Sequence, residues 1–205
     1  MTAMTAVDYF FTINQPALAE LKDKESKFRA YLFPVKSEES FRGQLNFIKE
    51  QEFKARHHCW ALILGEGADF QRSNDDGEPR NTAGAPILRA LVSSGLTNIA
   101  CVVVRYFGGS KLGVSGLIAA YGGSAELAIE NSQKLKEVIS QELTLSATYE
   151  HIALIERMIK IYGADVVARE QQERVTYTLL IRRSMVGEAT DYVKKNHHIT
   201  IHADS

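Results

Sequence analysis

IACVVVRYFGGSKLGVSGLIAAYGGSAELAI, residues 99–129, reads as a strand that runs into a glycine loop and then into a helix. The opening run is apolar without alternation, the pattern of a strand covered on both faces. From Val114 onward, Leu117, Ile118, Tyr121, Ala125, Ala128 and Ile129 keep helical spacing. Between the two elements stand Gly108, Gly109, Gly113 and Gly116, with donors from Arg105, Ser110, Lys111 and Ser115. Glycine admits tight backbone, and a helix N-terminus presents free N–H groups to an anion. The spacing matches neither the Walker phosphate loop nor the dinucleotide fingerprint. Two readings stay open: an anion or phosphate site, and close packing of a helix on a sheet.

Upstream, residues 1–18 predict an arm with little pattern, and Lys24–Val35 predicts a single strand through Phe28, Tyr31 and Phe33. Ser37–Phe53 predicts a helix, because Phe41, Leu45 and Ile48 recur at spacings of four and three. Ser37 and Ser40 offer N-caps, and Glu38 and Glu39 suit the positive end of the helix dipole. His57–Leu64 predicts a strand. GEGADFQRSNDDGEPRNTAG, residues 65–84, predicts one long polar loop, and loops of that length are often functional. Pro86–Ser94 predicts a helix with proline in its first turn and Gly95 as its stop.

Downstream, SQKLKE at 132–137 predicts a linker between a domain over 1–133 and a second over 138–205. Leu143, Leu145, Ala147 and Tyr149 alternate with polar neighbours, as a half-buried strand does. A helix over 151–162 stops at Gly163, and strands follow at 164–170 and around Val175–Ile181. Ser184 is placed as the cap of a helix reaching Asn196, and Ile199 and Ile201 mark a last strand. The order βαββαβ is that of a split βαβ, ferredoxin-like unit.

Composition sets the outer bounds. The 205 residues are 45% hydrophobic and 24% charged, which is ordinary for a globular chain. The formal net charge of −1 disfavours a protein that coats DNA but allows a local basic patch. Cys59 and Cys101 each sit in an apolar run, far apart and outside any C-x-x-C pattern, so they predict buried free thiols and a reducing cytoplasm. MTAMTAVDYFFTINQP at the start lacks the basic segment and apolar core of a secretory signal. No run of apolar residues approaches membrane-span length, so no membrane partner is expected.

Three polar features compete for chemistry with the glycine loop. Asp75, Asp76 and Glu78 could bind a metal or act as acid and base, but their spacing is not that of a calcium loop, and a solvated turn is the plain reading. His57 and His58 are adjacent on a strand, so their rings point to opposite faces: one to the loop, one to the core. Cys59 shares a face with His57, but no third group orients the pair as a nucleophile and base. No catalytic residue, metal or cofactor is assigned.

Taken together, ARHHCWA at 55–61, SNDDGEPRNTAGAPIL at 73–88 and VVVRYFGGSKLGVSGLIAAYGG at 102–123 resemble the IMPACT family. The likeness covers about residues 20–130, and the second half resembles the small C-terminal domain of bacterial two-domain, YigZ-like members. The resemblance implies an α+β or α/β fold. Its first domain would be a βα sandwich like the second domain of a small-subunit ribosomal protein, with a left-handed crossover. Its second would be ferredoxin-like, as in the last domain of elongation factor G. It implies a translation-associated regulatory or binding protein that contacts RNA, the ribosome or a translation factor. It transfers no catalytic residue, and it marks Arg105, Gly108, Gly109, Lys111, Gly113, Asp75, Asp76, Gly77 and Glu78 as candidates for a shared surface site. Two alternatives stand beside it: an enzyme acting on a phosphorylated small molecule or nucleotide, and a scaffold whose motifs only pack.

Overall fold

The computed structural model describes residues 8–202. Phe10–Glu137 form one compact unit; residues 138–202, with Asp8 and Tyr9, form another. The first region contains β1 (Tyr9–Ile13), β2 (Ala17–Asp23), β3 (Ser26–Pro34), α1 (Glu38–Gln51), β4 (His57–Leu64) and β5 (Phe70–Asn74). It continues through α2 (Gly84–Ser94), β6 (Ile99–Tyr106), α3 (Gly113–Glu130) and β7 (Lys134–Val138). A five-stranded sheet in the order β2-β3-β6-β4-β5 is antiparallel at every pairing, and β1 pairs separately with β7.

β6 is the central strand, and both its faces are covered. Cys101 and Val103 pack with Ile87 and Leu91 of α2 and Leu117 and Tyr121 of α3. Ala100, Val102 and Val104 pack with Phe41 and Ile48 of α1 on the other side. Helices on both faces leave no solvent side to alternate toward, hence the continuous apolar run. Each fully buried leucine, isoleucine or phenylalanine in these layers contributes roughly 1.5–3 kcal/mol. Local signals set the helix ends: Ser37 Oγ accepts from Ser40 N–H at 3.1 Å, and Ser40 Oγ accepts from Ser37 N–H at 3.3 Å. Gly95 ends α2 at φ 69°, the left-handed conformation glycine adopts at least cost.

Several sequence expectations need correction. Of the expected arm, residues 1–7 lie outside the described residues, while Tyr9–Ile13 and Ala17 onward are strands. The single strand expected from Lys24 begins at Ser26, because Asp23 pairs with Ser26 across a hairpin in which Lys24 takes φ 50°. The long polar loop contains β5, an exposed edge strand paired with β4. The stretch expected to be a linker, 132–137, carries most of β7. β5 lies at the sheet edge and β7 in a two-stranded ribbon, and in both little burial imposes a period on the sequence.

The second unit holds β8 (Ser140–Ala147), α4 (Ile152–Tyr162), β9 (Asp165–Gln171), β10 (Val175–Arg182), α5 (Val186–Lys195) and β11 (Ile199–His202). Its sheet runs β11-β8-β10-β9, antiparallel throughout. Leu145, Ile155, Met158, Leu179 and Val193 lie in its core. Ser184 does not cap α5 with its side chain. Its N–H donates to Asp8 at 2.7 Å, and its hydroxyl donates to the same carboxylate. Those hydrogen bonds hold the Asp8 carboxyl below its ordinary value. The chain is thus a two-unit α+β protein with antiparallel sheets. Among the described residues, no helix is long and apolar enough to cross a membrane.

Candidate functional site

The acidic turn after β5 is a structural clasp rather than a solvated turn. The Asp75 carboxylate accepts the backbone N–H groups of Asn81 at 2.8 Å, Ala83 at 3.0 Å and Gly84 at 2.8 Å. It caps α2 from outside the helix, satisfying N–H groups that have no intrahelical partner. Asp76 accepts the His58 N–H at 2.7 Å. The Asp76 carbonyl lies 2.9 Å from His57 Nδ1, and since a carbonyl only accepts, that nitrogen carries the proton. His57 therefore faces the turn while His58 is buried on the α1 side, with its Nδ1 3.8 Å from Asp76. Burial lowers the His58 pKa against the pull of Asp76.

Glu78 and Arg105 form the centre of the region. Arg105 Nη1 donates to Glu78 Oε1 at 2.7 Å, with the two side chains only 8% and 4% exposed. The Tyr121 hydroxyl donates to the same oxygen at 2.8 Å. Burial pushes the Tyr121 phenol far above its ordinary value, so it remains a neutral donor. The Arg105 guanidinium lies 5.7 Å from the Phe28 ring centre and 5.4 Å from that of Phe107. Arg105 is therefore no free phosphate ligand: its charge is already matched by Glu78.

The glycine loop divides by role. A Cβ on Gly108 would lie 1.9 Å from the Glu25 carbonyl oxygen, so only glycine fits where the two backbones cross. Ser110 donates to Glu25 at 3.4 Å, placing a carboxylate beside the loop. Gly109 and Gly113 have φ of 96° and 76°, accessible to glycine without a Cβ clash. Lys111 and Ser115 are exposed. This part of the loop serves packing and turning, and Lys111 is its one exposed cation.

The open space lies beside the loop. A cavity of about 300 Å³ is lined by Lys54, Arg56, His57, Arg105, Tyr106 and Phe107. A second, of about 330 Å³, has Glu78, Arg105, Phe107, Lys111 and Leu112 among its lining residues. Arg105 and Phe107 are common to both, and Phe107 is 58% exposed. Tyr106 anchors the first wall through its hydroxyl, which donates to Glu52. Glu52 also accepts from Tyr31 and, at 2.9 Å, from Arg29. Burial works to raise the Glu52 pKa, but these donors bring it below the ordinary carboxylate value. Lys54, Arg56 and Phe107 are absent from the sequence-derived candidates. The one available signal was Lys-x-Arg directly before the His-His-Cys run.

Comparison with known proteins bears on what this region is. A family model, the Impact N-terminal domain, matches residues 24–129. The chain belongs to the IMPACT family. It is 35% identical over 151 residues to the IMPACT family member YvyE of Bacillus subtilis, covering 74% of this chain and 70% of that protein. It is 32% identical over 167 residues to YigZ of Escherichia coli, covering 80% and 82% respectively. The crystal structure of a hypothetical protein aligns over 97% of this chain and 98% of its own, with a TM-score of 0.71 and 27% identity.

The three segments that carry the IMPACT likeness converge on one place. His57 and Cys59 come from the first, Asp75 and Glu78 from the second, and Arg105, Lys111 and Tyr121 from the third. Cys59 is no nucleophile here: its thiol donates to the Asp75 carbonyl at 2.9 Å, and burial pushes its pKa up to about 12. Among the described residues, no group of three or more histidine, cysteine, aspartate or glutamate side chains is placed to hold a metal.

Proposed function

We propose that this IMPACT family chain is a binding protein that acts in translation by contacting RNA, free or on the ribosome. The observation that carries this reading is the cleft in which Lys54, Arg56 and His57 stand with Tyr106 and Phe107 around a cavity of about 300 Å³. Cations beside the exposed ring of Phe107 suit a nucleic acid, because the cations neutralise phosphates and the ring stacks on a base. The net charge of −1 makes such contact local rather than a property of the whole surface. The resemblance to the IMPACT family, which implies a translation-associated role, supports the cellular setting. The βαββαβ order with strands β11-β8-β10-β9 supports reading the second unit as ferredoxin-like, like the last domain of elongation factor G. The enzyme alternative is weaker, because Asp75, Glu78 and Cys59 are engaged in holding the fold.

The test is sedimentation with ribosomes and titration of a fluorescent structured RNA at rising salt, comparing the wild type with Lys54→Ala/Arg56→Ala. Arg105 is left intact because its loss would uncover Glu78. Retention should fall with salt. The double variant should bind more weakly, with a salt slope shallower by about 1.4 to 1.8, at about 0.7 per lost contact in a single strand and about 0.9 in a double helix. Equal binding by both proteins, or no retention at low salt, would remove the cleft from RNA recognition.

A further inference from the structure

Phe107 lines both cavities, so the RNA reading can be taken one step further. We infer that this face takes an unpaired nucleotide of a single strand, its base stacked on Phe107, with one flanking phosphate beside Lys54 and Arg56 and the other beside Lys111. The inference rests on the RNA reading above and adds the class of nucleic acid.

Three observations carry it. First, Phe107 follows directly on β6 and is 58% exposed, although Arg105, two residues earlier, is buried. An aromatic ring left in water beside a packed arginine is ready to exchange water for a planar partner. Second, the Arg105 guanidinium stands 5.4 Å from the Phe107 ring centre, and the Glu78 ion pair holds it there. The cation restrains the ring without occupying the whole of it, so the stacking surface is fixed before a ligand arrives, which lowers the ordering cost of binding. Third, the cations lie in two groups. Lys54 and Arg56 line only the first cavity and Lys111 only the second, with Phe107 common to both. A single strand crossing the ring would meet positive charge before and after the stacked base. A duplex keeps its bases stacked inside and offers no π face to Phe107. It would gain the phosphate contacts alone.

The inference is tested with the full chain and four ligands: a fluorescein-labelled single-stranded 12-mer, its duplex, the same strand with a central 2-aminopurine, and a nucleoside monophosphate as competitor. The single strand should bind at least tenfold more tightly than the duplex, and 2-aminopurine fluorescence should be quenched on binding. Phe107→Leu keeps an apolar side chain but removes the π face. It should weaken single-strand binding about tenfold, within the range alanine substitution of stacking aromatics gives, and should leave duplex binding unchanged. Phe107→Trp should restore or strengthen binding. The mononucleotide, with a single phosphate, should compete only at concentrations at least a hundredfold higher than the strand.

If Lys54→Ala/Arg56→Ala weakens binding but Phe107→Leu changes it less than twofold, the face reads phosphates only; the inference falls and the RNA reading stands. Equal affinity for strand and duplex has the same meaning. A mononucleotide that competes as well as the strand overturns the two-sided arrangement. Absence of binding to any of the four refutes the RNA reading and the inference with it.

Discussion

Replacing Arg105 with alanine isolates the contribution of the buried ion pair at the meeting point of the three family segments. The Glu78 side chain is only 4% exposed, and its Oε1 has two donors, Arg105 at 2.7 Å and the Tyr121 hydroxyl at 2.8 Å. The variant leaves a carboxylate in place without its counter-charge. Breaking a buried pair by removing one partner costs about 3–5 kcal/mol. The Tyr121 hydrogen bond survives, so the lower end, about 3 kcal/mol, is expected. Trp60 on β4 is the single tryptophan, and it packs in the same unit, so its fluorescence in a urea titration reports on that unit. The midpoint should fall with the slope unchanged. Glu78→Gln/Arg105→Met removes both charges and should recover most of the loss, since a pair replaced by neutral groups of similar shape is often near neutral. A loss below about 1 kcal/mol for Arg105→Ala, or a double variant no better than the single, would refute the reasoning. Glu78 would then be reaching water or another cation, and the pair would not be the centre of the region.

Other consequences can be checked with the same titration. Gly108→Ala should destabilise by about 1–3 kcal/mol, because the added Cβ would lie 1.9 Å from the Glu25 carbonyl oxygen and one backbone segment must move; an unchanged midpoint would mean that the two segments are not in such close contact. Asp75→Ala removes the acceptor for three backbone N–H groups before and at the start of α2 and should cost about 1–2 kcal/mol, whereas Asp75→Asn, which keeps one carbonyl oxygen, should cost less. Stability of the first unit should fall as pH drops through the ordinary histidine value of 6.5. The folded-state pKa of His58 is lowered, so the unfolded chain takes up the proton first; the slope should flatten in His58→Gln. For Glu52 the sign also favours higher pH: its folded value is depressed, so its contribution is present above 4.5 and is lost as pH falls through the folded value. Glu52→Gln should remove that acid-limb dependence.

Local chemistry made much of the framework legible in the sequence. Ser37, one of the two N-cap candidates in the sequence, caps α1; Gly95 and Gly163 end α2 and α4 in the left-handed conformation; and β6 is covered on both faces as its unbroken apolar run requires. These features depend on neighbours within a turn or on the presence of cover, and both leave a trace in the local sequence. β5 and β7 left no such trace, because an edge strand with exposed faces can carry almost any sequence, whereas β2 does alternate, with Ala17, Ala19 and Leu21 turned to the core. The hairpin at Lys24 was hidden for a related reason: a lysine takes a positive φ there without the Asn-Gly signal that would announce the turn.

For the candidate site, the sequence determined which residue types were available and the tertiary structure decided their roles. Arg105, Lys111, Asp75 and Glu78 were all visible as polar residues in family segments. Nothing in their spacing said that Glu78 would meet Arg105 across 27 positions and Tyr121 across 43. That pairing took Arg105 out of the pool of phosphate donors and turned the acidic segment into a clasp. Lys54, Arg56 and Phe107 became neighbours only because the start of β4 lies beside the end of β6 in an antiparallel pair, with His57 opposite Arg105. A side chain's intrinsic chemistry travels with the residue. Whether its charge is matched or exposed depends on partners brought near by strand pairing and helix packing, and those contacts have no fixed separation along the chain.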